Sequence, residues 1–161
     1  MQKTTLLSFI FILVFSVFGA EFSIAQVCNS EMTVVKNRDS RSATLNDATI
    51  FQIEIQNNSS KAQIYTFNSN ISDQKCGTPA TGLRSTSKAD LNVSVKGNNL
   101  RSNSLSVAPG ATVPIQVEVS VGPNIKFNSW YCIEFSAVSD LCSSKQISKN
   151  LKLYVSDGSD N

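Results

Sequence analysis

The sequence predicts an all-β protein, a two-sheet sandwich of seven strands connected as a Greek key. Three observations lead there. Apolar and polar residues alternate with period 2 in stretch after stretch, most cleanly over residues 113–121. There Val113, Ile115, Val117, Val119 and Val121 face one way, and Pro114, Gln116, Glu118 and Ser120 the other. Side chains alternate across a strand, so this pattern describes a strand with one face in a core and one in water. Turn residues separate nearly every pair of such stretches, and nothing after the N-terminal leader reads as a helix. The spacing of short strands and turns is that of an immunoglobulin or fibronectin III type of sandwich.

Residues 1–25 read as a secretory signal. Lys3 supplies the positive start, and residues 6–18 are apolar apart from Ser8 and Ser16. Such a run is shorter than the roughly 20 residues that span a bilayer, which points to cleavage rather than anchoring. Ser23 and Ala25 place the cut before Gln26, with a cut after Ala20 as the second choice. A lipid anchor would need a small residue directly before Cys28, where Gln26-Val27 stand. Residues 26–161 are then read as a single domain with its core at about 31–155, secreted or periplasmic, with no membrane span after cleavage.

Without Lys3 and Glu21 the charge is still +2. The basic residues are scattered, so no footprint for nucleic acid or an anionic membrane exists. The chain has no histidine. That absence removes Ser-His-Asp and Cys-His nucleophile activation, and with them the histidine-bearing zinc and copper sites. Carboxylate chemistry is what remains for an enzyme, and no cofactor or metal is expected.

Taken in order, residues 31–36 (EMTVVK) form a short first strand, and 37–47 are polar and turn-like. Residues 48–56 (ATIFQIEIQ) alternate with Phe51, Ile53 and Ile55 inward, and Asn57-Asn58-Ser59-Ser60 breaks the strand through short side chains that bond their own backbone. Residues 61–69 resume as a strand with Tyr65 and Phe67 on the core face. Residues 70–88 are the exception, a long polar stretch with Gly77, Pro79 and Gly82; loops of that length are functional or poorly ordered. Residues 89–96 carry Leu91, Val93 and Val95 inward. Pro109-Gly110 suits a type II turn just before the 113–121 strand. Residues 129–138 place Tyr131, Ile133, Phe135 and Ala137 inward and Trp130, Cys132 and Glu134 outward, and residues 146–155 end the set with Leu151, Leu153 and Val155 inward. The tail DGSDN frays.

The sequence resembles the immunoglobulin-like accessory domains of secreted bacterial proteins and is similar to the NPCBM-associated domain of α-galactosidases. The likeness covers about residues 44–155 and is carried by Asn57 to Ser59, Ala108-Pro109-Gly110 and the 113–121 alternation. These motifs are structural, so the resemblance implies a fold far more than it implies a function. Such domains sit beside other modules in long chains, whereas here the domain stands alone, which points to a partner on a separate chain.

Four cysteines in a secreted domain, Cys28, Cys76, Cys132 and Cys142, imply two disulfides with three possible pairings. In the immunoglobulin order the first strand begins at the end where the last two strands are joined, which brings Cys28 near Cys142. The third strand ends and the sixth begins at the opposite end, which brings Cys76 near Cys132. The rival is Cys132–Cys142, close in sequence. No C-x-x-C spacing supports a metal site.

Glu54, Glu118 and Glu134 fall on outward strand faces as solubilising charges rather than a catalytic pair. Asp157, Asp160 and Asn161 belong to a solvated tail rather than a calcium loop. Asn57, Asn58, Asn70 and Asn92 match the N-x-Ser/Thr pattern, as chance allows in so Asn- and Ser-rich a chain. Trp130, the single tryptophan, is either a contact for a sugar ring or protein partner, or is buried under the 70–88 loop with Cys76 tying that loop down. The expected function is binding of another envelope or secreted protein. The alternative is a carbohydrate-binding module that uses Trp130 and the 70–88 loop.

Overall fold

The computed structural model describes residues 28–72, 76 and 89–158. The expected signal over residues 1–25 with both cut sites, most of the long 70–88 stretch, Asp160 and Asn161 lie outside the described residues.

Nine strands run in order: β1 (Ser30–Val34), β2 (Ser40–Ala43), β3 (Thr49–Asn57), β4 (Gln63–Ser72), β5 (Leu91–Lys96), β6 (Ser104–Val107), β7 (Thr112–Val121), β8 (Ser129–Ser139) and β9 (Cys142–Val155). They form a four-stranded sheet, β1-β3-β7-β5, and a five-stranded sheet, β2-β9-β8-β4-β6. Neighbours are antiparallel except β2 and β9, which are parallel. Two of these strands correct the expected seven. Both are four residues long, too short to show a period.

The first, β2, falls within the stretch read as turn-like. A single 3-10 turn at Val35–Asn37 carries the chain out of β1, with Lys36 (φ 56°) and Asn37 (φ 52°) in the left-handed region. This kink moves the chain from the four-stranded sheet to the five-stranded one, where Ser40–Ala43 pairs alongside Lys152–Val155. The second, β6, pairs antiparallel with β4 and ends at the Pro109-Gly110 turn, where the Ala111 N–H donates to the Ala108 carbonyl at 3.1 Å. Gly110 sits at φ 69°, a conformation that glycine adopts without a Cβ penalty. The ends of other strands also move: β1 stops at Val34 because of the kink, β4 runs on through Asn70, and β9 begins at Cys142.

The core lies between the sheets and is built by the alternation. Phe51, Ile53 and Ile55 of β3 and Ile115, Val117 and Val119 of β7 are buried against Tyr65, Phe67, Tyr131, Ile133, Phe135, Leu151 and Leu153 of the facing sheet. Phe67 and Phe135 stack with ring centroids 5.6 Å apart. Each such side chain contributes about 1.5–3 kcal/mol on leaving water. With β2 and β6 set aside, the order A-B-E-D against G-F-C of an immunoglobulin sandwich is reproduced by β1-β3-β7-β5 against β9-β8-β4.

Candidate functional site

The four cysteines occupy opposite ends of the sandwich. Cys28, just before β1, is bonded to Cys142 at the start of β9, with Cα atoms 5.6 Å apart. Cys76, beyond the end of β4, is bonded to Cys132 near the start of β8, with Cα atoms 5.0 Å apart.

Beside the second disulfide, Trp130 and Tyr154 stand directly opposite each other on β8 and β9, on the face turned away from the core. Their ring centroids are 5.3 Å apart and tilted by 50°, and Trp130 is 42% exposed. Cys76, Trp130, Tyr131 and Lys152 line a shallow cleft. Lys152 Nζ is held by Asp39 at 3.2 Å. The Tyr154 hydroxyl donates to Asn128 Oδ1 at 3.5 Å, and Asn128 Nδ2 donates to Asp157 at 3.2 Å. Cys76, Cys132 and Trp130 are therefore brought together, while Cys28 and Cys142 lie apart from them. Tyr154 and Lys152 are members of this site that sequence reasoning passed over; their outward positions follow from alternation with Leu151, Leu153 and Val155, but the pairing of Tyr154 with Trp130 does not.

The other end of the sandwich holds a buried polar cluster. Asn57, fully buried, donates through Nδ2 to the carbonyls of Lys61 (2.8 Å), Val107 (3.0 Å) and Ala108 (3.3 Å). Its Oδ1 accepts from the Ser59 backbone N–H at 3.0 Å and the Ser59 hydroxyl at 2.6 Å. Gln63 Nε2 donates to Ser59 Oγ, and the Tyr65 hydroxyl lies 2.9 Å from Gln63 Oε1 and 2.6 Å from Ser30 Oγ. Burial pushes the Tyr65 phenol above its ordinary value, the Ser30 hydroxyl pulls it back, and Asp140 adds to the rise. The cluster ties together β1, the end of β3, β4 and two turns, the one between β3 and β4 at Ser59 to Lys61 and the one that follows β6 at Ala108. Buried as it is, Asn57 offers no acceptor for a glycan.

The sheet edges differ in how they are closed. At β2 the core-side position opposite buried Leu153 is taken by Arg41, an inward charge of the kind that blunts an edge. β6 is only four residues long. β1 begins beside the Cys28–Cys142 bond, ends at the 3-10 kink, and keeps Met32 buried. β5 has none of these devices over its first five residues. It pairs with β7 in unbroken register for six residues without proline, and its single charge, Lys96, is paired with Glu118 at the strand's end. Its core-side residues Leu91, Val93 and Val95 all remain half-buried, whereas their register partners Val121, Val119 and Val117 on β7 are buried. Among the described residues no strand pairs with the far side of β5.

The carboxylates do not converge. Glu54 and Glu118 are on the outer face of the four-stranded sheet, with Glu54 opposite Pro114 and Glu118 opposite Ile50, while Glu134 is on the outer face of the other sheet between Asn70 and Asn150. Among the described residues no group of three or more Asp, Glu or Cys side chains is placed to hold a metal ion, and no helix is long and apolar enough to cross a membrane.

No protein-family model and no curated protein sequence matches the chain. Among solved structures it is similar to a FixG-related protein from Vibrio parahaemolyticus, at 13% identity over 78% of this chain and 95% of that one, with a TM-score of 0.51. That likeness is one of fold. A family 123 glycoside hydrolase from Clostridium perfringens is similar at 12% identity over 79% of this chain and 27% of that one, TM-score 0.48. The periplasmic chaperone SfaE is similar at 11% identity over 81% and 57%, TM-score 0.44. Neither of these two slight likenesses bears on function.

Proposed function

We propose that residues 26–161 form a single non-catalytic domain of the envelope or secreted fraction that takes up a strand of a partner protein along the edge of β5. The observation that carries this reading is the six-residue edge of β5, unpaired among the described residues, with Leu91, Val93 and Val95 half-buried. A strand added there gains main-chain hydrogen bonds along the ladder and covers those three side chains, while every other edge is shortened, kinked or charged. Two disulfides suit an oxidising compartment, and the resemblance to accessory domains of secreted bacterial proteins agrees with a partner-binding role.

Photo-crosslinking in the native host tests the reading. A photoreactive residue at Asn92 or Ser94, both on β5, captures one protein of defined mass, and the same residue at Ser106, on the β6 edge, captures none. Capture from Ser106 alone, or no adduct from either β5 position, contradicts it.

A further inference from the structure

We infer that the strand taken up along β5 is the β5 of a second copy of this chain, paired antiparallel about a two-fold axis at Val93. The inference rests on the β5 reading above and names its partner. The Gly122 N–H donates to the Asp90 carbonyl at 2.7 Å, and residues of an antiparallel ladder alternate between bonding the neighbouring strand and facing away from it. Asp90, Asn92, Ser94 and Lys96 therefore turn their main-chain groups to β7, and Leu91, Val93 and Val95 turn theirs to the far side. The Leu91 N–H is taken by the Ala89 carbonyl, and among the described residues no strand receives the others. The residues with half-buried apolar side chains are thus the ones with main-chain groups to offer.

This edge is complementary to itself. With Val93 opposite Val93 of the second copy, Leu91 meets Val95 and Val95 meets Leu91, so each facing pair joins main-chain groups in bonding register and apolar side chains on the core side. Asn92 falls opposite Ser94 on the outer face. One step beyond the apolar pairs, Asp90 stands opposite Lys96 at both ends of the ladder. The Lys96 ammonium, exposed and already paired with Glu118, then lies between two carboxylates. The charges select this register. A slip of one residue turns the apolar side chains to opposite faces. A slip of two sets Lys96 opposite Asn92 and Leu91 opposite Gly97 in one direction. In the other it sets Asp90 opposite Ser94 and leaves Lys96 beyond Ala89. Either loses both charge pairs.

Sedimentation equilibrium of the mature protein with both disulfides intact tests the pairing. The chain forms a reversible dimer, more than half assembled at about 100 μM and weakened by salt, as a small interface with two charge pairs should be. Asp90→Lys and Lys96→Asp each weaken the dimer at least about tenfold, because each sets two like-charge pairs across the axis. An equimolar mixture of the two restores it, since one copy then carries lysine at both positions and the other aspartate. Lys96→Asp, a change at an exposed side chain, carries the test alone if Asp90→Lys does not fold. A parent chain that stays monomeric to about 1 mM, a Lys96→Asp dimer as tight as the parent's, or a mixture of two folded variants no tighter than either alone overturns the inference. In the host crosslink at Asn92 or Ser94, an adduct of twice the chain's mass supports it. An adduct of another defined mass overturns it and leaves the β5 reading standing, whereas no adduct overturns both.

Discussion

Replacing Asn57 with alanine should cost far more than a turn residue ordinarily does. The side chain bonds three carbonyls and accepts two donors from Ser59, in a site closed to water. A buried hydrogen bond contributes about 1 kcal/mol net, and a buried group stripped of its partner costs about 1–3 kcal/mol. Several of these bonds share one nitrogen, so the separate values do not add in full; a loss of about 3 kcal/mol follows. That is a large part of the roughly 5–15 kcal/mol by which small domains are stable. In urea melts of the mature, disulfide-bonded protein, the midpoint should fall by about 1–3 M at unchanged slope. Asn57→Asp preserves shape and acceptor but turns a carboxylate oxygen toward three carbonyls, so it should be at least as damaging. A loss under about 1 kcal/mol for Asn57→Ala, or an Asp variant as stable as the parent, would refute the view that this amide staples the two turns.

Other variants probe other parts. In Gly122→Ala the new Cβ would stand 2.2 Å from the Asp90 carboxylate carbon, so that carboxylate must give up its 3.0 Å bond from the Asn124 N–H, at about 1–2 kcal/mol by urea melt; an unchanged midpoint contradicts this. Removing Cys28–Cys142, with a sequence separation of 114, should destabilise by about 4–5 kcal/mol on the chain-entropy scale, and removing Cys76–Cys132, with a separation of 56, by about 0.6 kcal/mol less; the opposite order by more than that margin contradicts it. Tyr65 gives a pH signature. Its folded phenol ionises above the ordinary 10.0, so the unfolded chain loses its proton first; the contribution is intact below about pH 10 and is lost as pH rises beyond it. Tyr65→Phe should cost about 1 kcal/mol at neutral pH through its bonds to Ser30 and Gln63, and should flatten the alkaline loss of stability; an alkaline profile parallel to the parent's counts against it.

Much of the fold is legible because period-2 alternation is a local property. Phe51, Ile53 and Ile55, or Tyr131, Ile133 and Phe135, declare their buried face without reference to any neighbour. What alternation cannot convey is position within a sheet. Leu91, Val93 and Val95 alternate as regularly as Val117 and Val119 do, yet they stay half-buried because β5 is an edge and β7 is not. Strand order is a tertiary outcome. The short strands fail for the same reason: Ser40–Ala43 becomes β2 because the edge of β9 is there to receive it.

The candidate site shows the same division. The outward position of Trp130 follows from its neighbour Tyr131, but its contact with Tyr154 depends on the β8–β9 register, which shifts at Val138/Ser139. Asn57 to Ser59 reads correctly as a local turn, since the Ser59 N–H does bond Asn57 Oδ1. The other half of that amide reaches Val107, 50 residues away, which no local pattern encodes.

The β5 edge is tested most directly by hydrogen exchange on the protein in complex with the partner captured through it. Amides of residues 91–96 should exchange markedly more slowly in the complex, while those of β1, β2 and β6 keep their free-state rates. Slowing confined to another edge or to the Trp130 face, with β5 unaltered, would contradict the account.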